Sequence, residues 1–313
     1  MPFQAKPISF KPVRLKGLSP RLIASHYENN YGGAVRRLNA IRAELAAADP
    51  GAVPPFRLSG LKREELIATN SMLLHEAYFE ALGEGGGGDP DGVLAEAMAR
   101  DFGSVARWRA EFVAMGKALR GGSGWVLLSR SPHDSTLCNV WSADHTHTMA
   151  GGTVVLALDM YEHSYAIDFG ANADGYVDAF MANIAWERIA DRFTGTAPAA
   201  RPNTLDTLAA RRLIESDPDI LVIDARLPDD AAAVPVRLPR ARRAPPGQVD
   251  AVAASLPRGA KAVVYCAWGF EIGGDCAAKL RERGIDAVAV AGGIGAWRAD
   301  GMPTEPIEEG EPS

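Results

Sequence analysis

The chain of 313 residues contains six histidines, His26, His75, His133, His145, His147 and His163, and three cysteines, Cys138, Cys266 and Cys276. These side chains can hold a transition metal or act as nucleophiles near neutral pH. Asp159 and His163 stand four residues apart at the end of the apolar run TVVLALDMYEH. A strand that ends in a carboxylate, with an imidazole one short turn later, aims two ligands at one point. His26 lies near the start of one helical pattern. His75 lies midway along another, among Leu73, Leu74, Ala77 and Phe79. A hairpin of those helices could bring both imidazoles to the same point and complete a His3Asp set. Neutral imidazoles with one carboxylate suit iron or manganese and require no thiolate. Four protein ligands at a five-coordinate ion leave room for solvent. Spacing alone keeps the plainer reading open, because a mid-helix histidine is commonly a satisfied core or surface residue.

The elements that must position these groups follow from periodicity. Apolar residues Leu22, Ile23, Ala34, Val35, Leu38, Ile41 and Leu45 recur near helical spacing over about 19–48. The stretch AADPGAVPP breaks that pattern, and a second helix is predicted from Lys62 to about Leu82. The tract GEGGGGDPDG stops it and reads as a flexible connector. A helical region divided at Phe102-Gly103-Ser104 follows. Then come three short β-rich runs, WVLLSRS, TLCNVWSA and TVVLALDMY, and a helix over about 174–193. TGTAPAARP, residues 194–202, reads as an interdomain linker. Beyond it ILVIDAR, AVVYC and AVAVAGG alternate with helical segments, the texture of a parallel sheet covered by helices.

The stretch Asp159-Met160-Tyr161-Glu162-His163-Ser164-Tyr165 resembles the signature D-x-[WF]-E-H-[STA]-[FY] of iron/manganese superoxide dismutases, with Tyr161 where the pattern has Trp or Phe. DFGSVARWRAEFVAMGKALRGGSGWVLL is similar to that family's DFGS…F…GSGW segment. SHYENNYGGAVRRLNA and NSMLLHEAYFEAL resemble its two ligand helices, with His26 and His75 at the ligand positions. YVDAFMANIAWERIADRF is similar to its closing helices and sets Trp186-Glu187 where the family has Trp beside an acidic residue. The resemblance spans about residues 15–195. It implies an α+β fold, with an α-hairpin over 1–90 and a mixed α/β half with an antiparallel sheet over 91–195. It implies one iron or manganese per chain, iron slightly favoured, on His26, His75, Asp159 and His163. It also implies superoxide as substrate and a homodimer in which Glu162 reaches the partner's His163.

Other positions depart from that family. A glutamine usually touches the metal-bound solvent from one of two places, which here read Ser71 and His145. The resemblance makes His145 a catalytic candidate; if the SADHTHT loop is shifted, His145 or His147 is simply exposed. A tyrosine and a histidine usually follow the first ligand at eight and four residues; here those are Ala34 and Asn30, with Tyr31 adjacent. The usual gateway arginine falls at Asn172 or Ala173. Losing a cation and a relay phenol weakens steering and proton delivery. The rebuilt funnel brings to mind the SodM-like branch of that family.

LVIDAR, VVYCAWGFE and AVAVAGGIGAWRADGMPTE stand in the order and spacing of a rhodanese-like domain, over about 203–308. The resemblance implies an α/β fold with a parallel sheet over 204–308, after a linker at 196–203. It places Cys266 as a persulfide-carrying thiol, on the loop Ala267 to Glu271. Glu271 stands where that family often has arginine, and an acidic group there disfavours thiolate. Arg237, Arg240, Arg242 and Arg243 read either as a solvated loop or as an anion-facing patch. Cys276 reads as a helix residue and Cys138 as core.

Hydrophobic residues make up 47% and charged residues 23%, normal for a globular chain, and the net charge of −6 gives no global attraction to nucleic acid or an anionic membrane. MPFQAKPISFKPVRL has no apolar signal-peptide core, and three cysteines make no disulfide framework, so cytoplasm is the expected compartment. The leading expectation is dismutation of superoxide. A metal-binding stress-response or redox-sensing protein with weak dismutation is the second reading, and a sulfurtransferase or persulfide carrier at Cys266 the third.

Overall fold

The computed structural model describes residues 2–196 and 202–307. They form two compact units, one of residues 2–3 and 9–196, the other of residues 4–8 and 202–307. Most of the sequence-predicted linker, residues 197–201, lies outside the described residues, as does residue 308.

In the first unit α1 (Pro20–Ser25) starts at Ser19, whose hydroxyl accepts the Leu22 N–H, with proline at the first helical position. The continuous helix expected from the sequence is interrupted by a π-helical turn, His26–Tyr31, before α2 (Gly32–Ala47). That turn carries one extra residue per turn at a functional segment, as such turns commonly do. α2 packs on α3 (Pro55–Ala81) to make the hairpin. α3 begins seven residues before the sequence-based start at Lys62. Pro55 sits at its N1 position, where a missing N–H costs nothing, so the proline pair opens the helix instead of ending one.

The glycine tract after α3 is no free connector. Gly83 N–H and Gly87 N–H donate to the carbonyls of Asn183 and Ile184 at 2.8 and 2.9 Å. A Cβ on Gly86 would lie 2.4 Å from the Asn183 oxygen, so only glycine permits this approach. α4 (Gly92–Phe102) and α5 (Val105–Ala118) divide where expected. Gly103 takes φ +86° and Ser104 caps α5 by accepting the Arg107 N–H.

β1 (Trp125–Arg130), β2 (Leu137–Ser142) and β3 (Thr153–Asp159) form an antiparallel sheet of order β2-β1-β3, with Trp125 directly opposite Asp159. α5 covers β1, and α3 packs against β3. After β3 come α6 (Ala166–Phe169), α7 (Ala173–Met181) and α8 (Trp186–Thr194). The last two replace the single helix expected over 174–193. Trp186 meets Trp108 edge to face and donates its Nε1–H to the Gly88 carbonyl.

The second unit contains β4 (Thr204–Leu205), α9 (Thr207–Ser216), β5 (Leu221–Asp224), α10 (Pro228–Ala233), β6 (Val236–Arg237), β7 (Arg242–Arg243), α11 (Val249–Ala254), β8 (Lys261–Tyr265), α12 (Glu271–Glu282), β9 (Asp286–Val290), α13 (Gly293–Ala299) and β10 (Glu305–Pro306). Five parallel strands run β4-β9-β8-β5-β7, and β6 pairs with β10. One face is covered by α11 and α12 through Val249, Val252, Ala277 and Leu280. The other is covered by α9 and α13 through Ala210, Ile214, Ile294 and Trp297. Helices on both faces explain why β5, β8 and β9 read as continuous apolar runs. Among the described residues no helix is long and apolar enough to cross a membrane.

Candidate metal centre

Four side chains far apart in sequence converge in the first unit. His26 comes from the π-helical turn, His75 from the middle of α3, Asp159 from the last position of β3, and His163 from the short 3-10 turn that follows. Their ligand atoms all lie within 4.8 Å of one another. The Nε2 atoms of His26, His163 and His75 stand 3.1, 3.2 and 3.6 Å from a single oxygen, Asp159 Oδ2. His26, His75 and Asp159 are buried, while the His163 side chain keeps 27% of its exposure and marks the open side.

The surroundings orient these groups. His75 Nδ1 donates to the Ser71 carbonyl at 2.7 Å, which turns Nε2 toward the cluster. That Nε2 is buried with no hydrogen-bond partner, the mark of a ligand atom whose partner is an ion. Asp159 Oδ1 accepts the Tyr161 N–H at 2.9 Å, leaving Oδ2 to the histidines. Burial lowers the basicity of His26 and pushes His75 down to about 3, with His26 adding repulsion, so both are neutral donors at physiological pH. Burial alone would raise the Asp159 carboxyl, but the nearby His163 and hydrogen bonds from His163 and His26 hold it well below the carboxylate range. An ionised carboxylate beside imidazole nitrogens is the donor set that iron or manganese takes.

The remaining predicted positions resolve individually. His145 lies beside the cluster, its ring 6.2 Å from that of His75, and Trp125 Nε1–H donates to its Nδ1 at 3.0 Å. His147 is exposed and bonds Asp144. Ser71 contributes its carbonyl; its hydroxyl is 3.4 Å from His75 Nδ1. Ala34 is buried and Asn30 half-buried. Tyr31 is turned inward, its hydroxyl donating to Glu76 Oε1 at 3.2 Å. Ala173 is buried and Asn172 caps α7. Sequence reasoning passed over Asn70, whose amide holds the His145 carbonyl at 2.6 Å. It also missed that Tyr161 stacks between His145 and His163. Neither contact has a local signal, since both join residues distant in sequence or on different turns.

In the second unit Cys266 follows β8 directly and is buried. Chain order reverses between β5 and β8, so Cys266 stands at the switch point outside the carboxyl ends of the strands, where ligands of such sheets bind. Its loop is tightly built. Gly269 takes φ +71°, and a Cβ there would lie 2.2 Å from the Gly292 nitrogen. Two of the four arginines are held by backbone carbonyls. Arg240 donates to the carbonyls of Ile214, Asp217 and Pro218, and Arg243 to that of Arg226. Arg237 lies 4.0 Å from Glu305, and Arg242 is exposed. Cys276 is buried in α12, as expected. Cys138 is half-buried, not core, because it lies on the edge strand β2.

Three imidazoles and one carboxylate, gathered between a helical hairpin and an antiparallel sheet, have the arrangement of a mononuclear metal-binding centre. A sequence profile of the C-terminal domain of iron/manganese superoxide dismutases matches residues 90–192. The chain is 65% identical over 193 residues to a "Superoxide dismutase [Fe]" of Cupriavidus metallidurans, covering 97% of that protein and 62% of this one. It is 32% identical over 189 residues to "Superoxide dismutase [Mn] 1" of Halobacterium salinarum, covering 88% of that protein and 58% of this one. It is equally 32% identical over 189 residues to a "Superoxide dismutase [Fe]" of Aquifex aeolicus, covering 87% of that protein and 58% of this one. The chain belongs to the iron/manganese superoxide dismutase family.

Proposed function

We propose that this protein disproportionates superoxide at one iron or manganese held by His26, His75, Asp159 and His163, with iron the working metal. The observation that carries this is the convergence of three Nε2 atoms on one buried carboxylate oxygen, with His75 Nε2 otherwise unpartnered. The iron assignment is supported by the 65% identical relative, which is named for iron. A bound metal supplies a one-electron couple between +3 and +2, so that one superoxide leaves as dioxygen and a second, with two protons, as hydrogen peroxide. The protein's part is to keep the His26 and His75 imidazoles neutral by burial, hold the carboxylate ionised and admit the substrate on the His163 side. His145 acts as a catalytic residue that donates a hydrogen bond toward oxygen held in the site. The working form is a homodimer in which exposed Glu162 reaches the partner's His163. The test loads the purified chain separately with iron and manganese and measures metal content and dismutation together. One metal per chain with fast turnover on iron supports the proposal. Bound metal with negligible turnover on both supports the sensing role instead.

A second activity is supported by the place of Cys266 at the switch point of a parallel sheet, within a rhodanese-like domain over 204–308. There the Cys266 thiolate takes the outer sulfur of thiosulfate as the S–S bond breaks and sulfite leaves, and the persulfide passes that sulfur to a thiol. Sulfite release that disappears in Cys266→Ser supports it; equal release in that variant refutes it.

A further inference from the structure

The second unit takes five of its residues from far upstream. Residues 4–8 belong to it, and the Ala5 N–H donates to Asp300 Oδ1 at 2.7 Å across 295 positions of sequence. Ala5 itself is buried. Gln4 Oε1 accepts the Thr207 hydroxyl at 3.1 Å and lies 3.5 Å from the Leu208 nitrogen, which ties the segment to the first turn of α9. The same Thr207 hydroxyl meets Asp300 Oδ2. Pro7 lies on Gly292, where an added Cβ would stand 3.1 Å from the proline Cβ.

These contacts reach α13 at both ends, because Gly292 is its N-cap and Asp300 its C-cap. On its other side the Gly292-Gly293 turn is pressed against the Cys266 loop. A Cβ on Gly293 would lie 2.2 Å from the Cys266 carbonyl oxygen. The N–H groups of Ile294 and Gly295 donate to the carbonyls of Cys266 and Ala267 at 2.9 and 3.0 Å. Three layers result: the upstream segment, the glycine turn and the Cys266 loop. Interiors packed this closely transmit a displacement from one layer to the next.

We propose that Gln4, Ala5 and Pro7 are positioning residues for Cys266, bracing α13 at both ends so that the glycine turn holds the Cys266 loop in its reactive geometry. The sulfur-transfer consequence rests on the reading of Cys266 as a sulfur-carrying thiol; the brace itself does not. Cys266 is 3% exposed, so a reagent reaches it only when the loop opens. A loosened brace raises the open fraction and spoils the alignment together, so labelling rises while sulfur transfer falls. A segment that merely blocked the thiol would hold both down, and loosening it would raise both.

The test is iodoacetamide labelling of the full chain, read peptide by peptide by mass spectrometry, with thiosulfate-dependent sulfur transfer on the same samples. Cys276, 2% exposed and in the same unit, reports general loosening. Ala5→Pro removes the donor to Asp300, and Pro7→Gly removes the ring against Gly292. Ala5→Pro is expected to label Cys266 about tenfold faster, about 1.4 kcal/mol for one hydrogen bond to a charged group. Cys276 labelling should stay unchanged, and sulfur transfer should fall severalfold in kcat. Pro7→Gly should move all three readouts the same way, and decides alone if Ala5→Pro does not fold. Unchanged Cys266 labelling overturns the brace. Equal acceleration at Cys266 and Cys276 overturns it too, and makes the segment a general stabiliser. Labelling and sulfur transfer rising together overturn positioning in favour of blocking. If the native chain transfers no sulfur, the reading of Cys266 has failed. The brace is then decided by labelling and by hydrogen exchange of the Ile294 and Gly295 amides, which should quicken in both variants.

Discussion

Asp159→Asn isolates the centre of the metal site. The substitution keeps size and shape. Its carbonyl oxygen can still accept the Tyr161 N–H, and Ser164 Oγ still donates to the residue-159 carbonyl, so the turn into His163 is retained. What disappears is the single buried negative charge on which three imidazoles converge at 3.1, 3.2 and 3.6 Å. Removing one partner from a buried ionic arrangement costs about 3–5 kcal/mol. Applied to metal retention, that is a loss in affinity on the order of 10²–10⁴. The assay is competition with a chelator of known affinity, followed by metal analysis and dismutase rate on the same sample. Native chain should keep about one ion where the Asn variant keeps almost none, and the remaining activity should track the remaining metal. An Asn variant that holds iron within tenfold of native affinity, with an unchanged thermal transition, would refute the assignment of Asp159 as the anionic ligand.

Gly124→Ala should lower the thermal stability of the first unit by about 2 kcal/mol or more, since Gly124 takes φ +134° and a Cβ would sit 2.2 Å from the Ser142 oxygen; calorimetry reads the shift. Arg226→Met should cost about 3–5 kcal/mol, because Asp224 loses its 2.6 Å partner with both side chains almost wholly buried. Hydrogen exchange of β5 and β8 amides would show it, and Asp224→Leu added to Arg226→Met should recover much of the loss. Cys276, pushed up to about 11 by burial, is a thiol at pH 8. Native-state iodoacetamide should leave it unmodified, and mass spectrometry should find rapid labelling only after denaturation.

The ligand set was legible mainly through the resemblance to a known family: Asp159 and His163 stood at a strand end within its signature, while helical spacing alone left His26 and His75 open to a plainer reading. The π-helical turn was not, because HYENNY has no composition that separates a π turn from an α turn; packing decides it. The early start of α3 was missed because proline both stops helices and opens them, and the choice rests on which side finds hydrogen-bond partners. The glycine tract read as flexible from composition, yet the same lack of side chains lets it lie against Asn183 and Ile184. Asn70, Trp125 and Tyr161 gather around His145 only through tertiary contacts, which one sequence does not encode in any short window. In the second unit the alternation of strands and helices was plain, but the inward turn of Arg240 and Arg243 toward carbonyls was not, since charge alone says nothing of direction.

The order of the ligands along the chain has a consequence during synthesis. The first lies at residue 26 and the last at residue 163, so the full ligand set exists only once most of the first unit has been made. Once His163 has been made, the second unit, roughly 100 residues, is still to come, which at 5–20 residues per second takes about 5–20 s. A nascent first unit therefore has time to bring its four ligands together while most of the second is unmade.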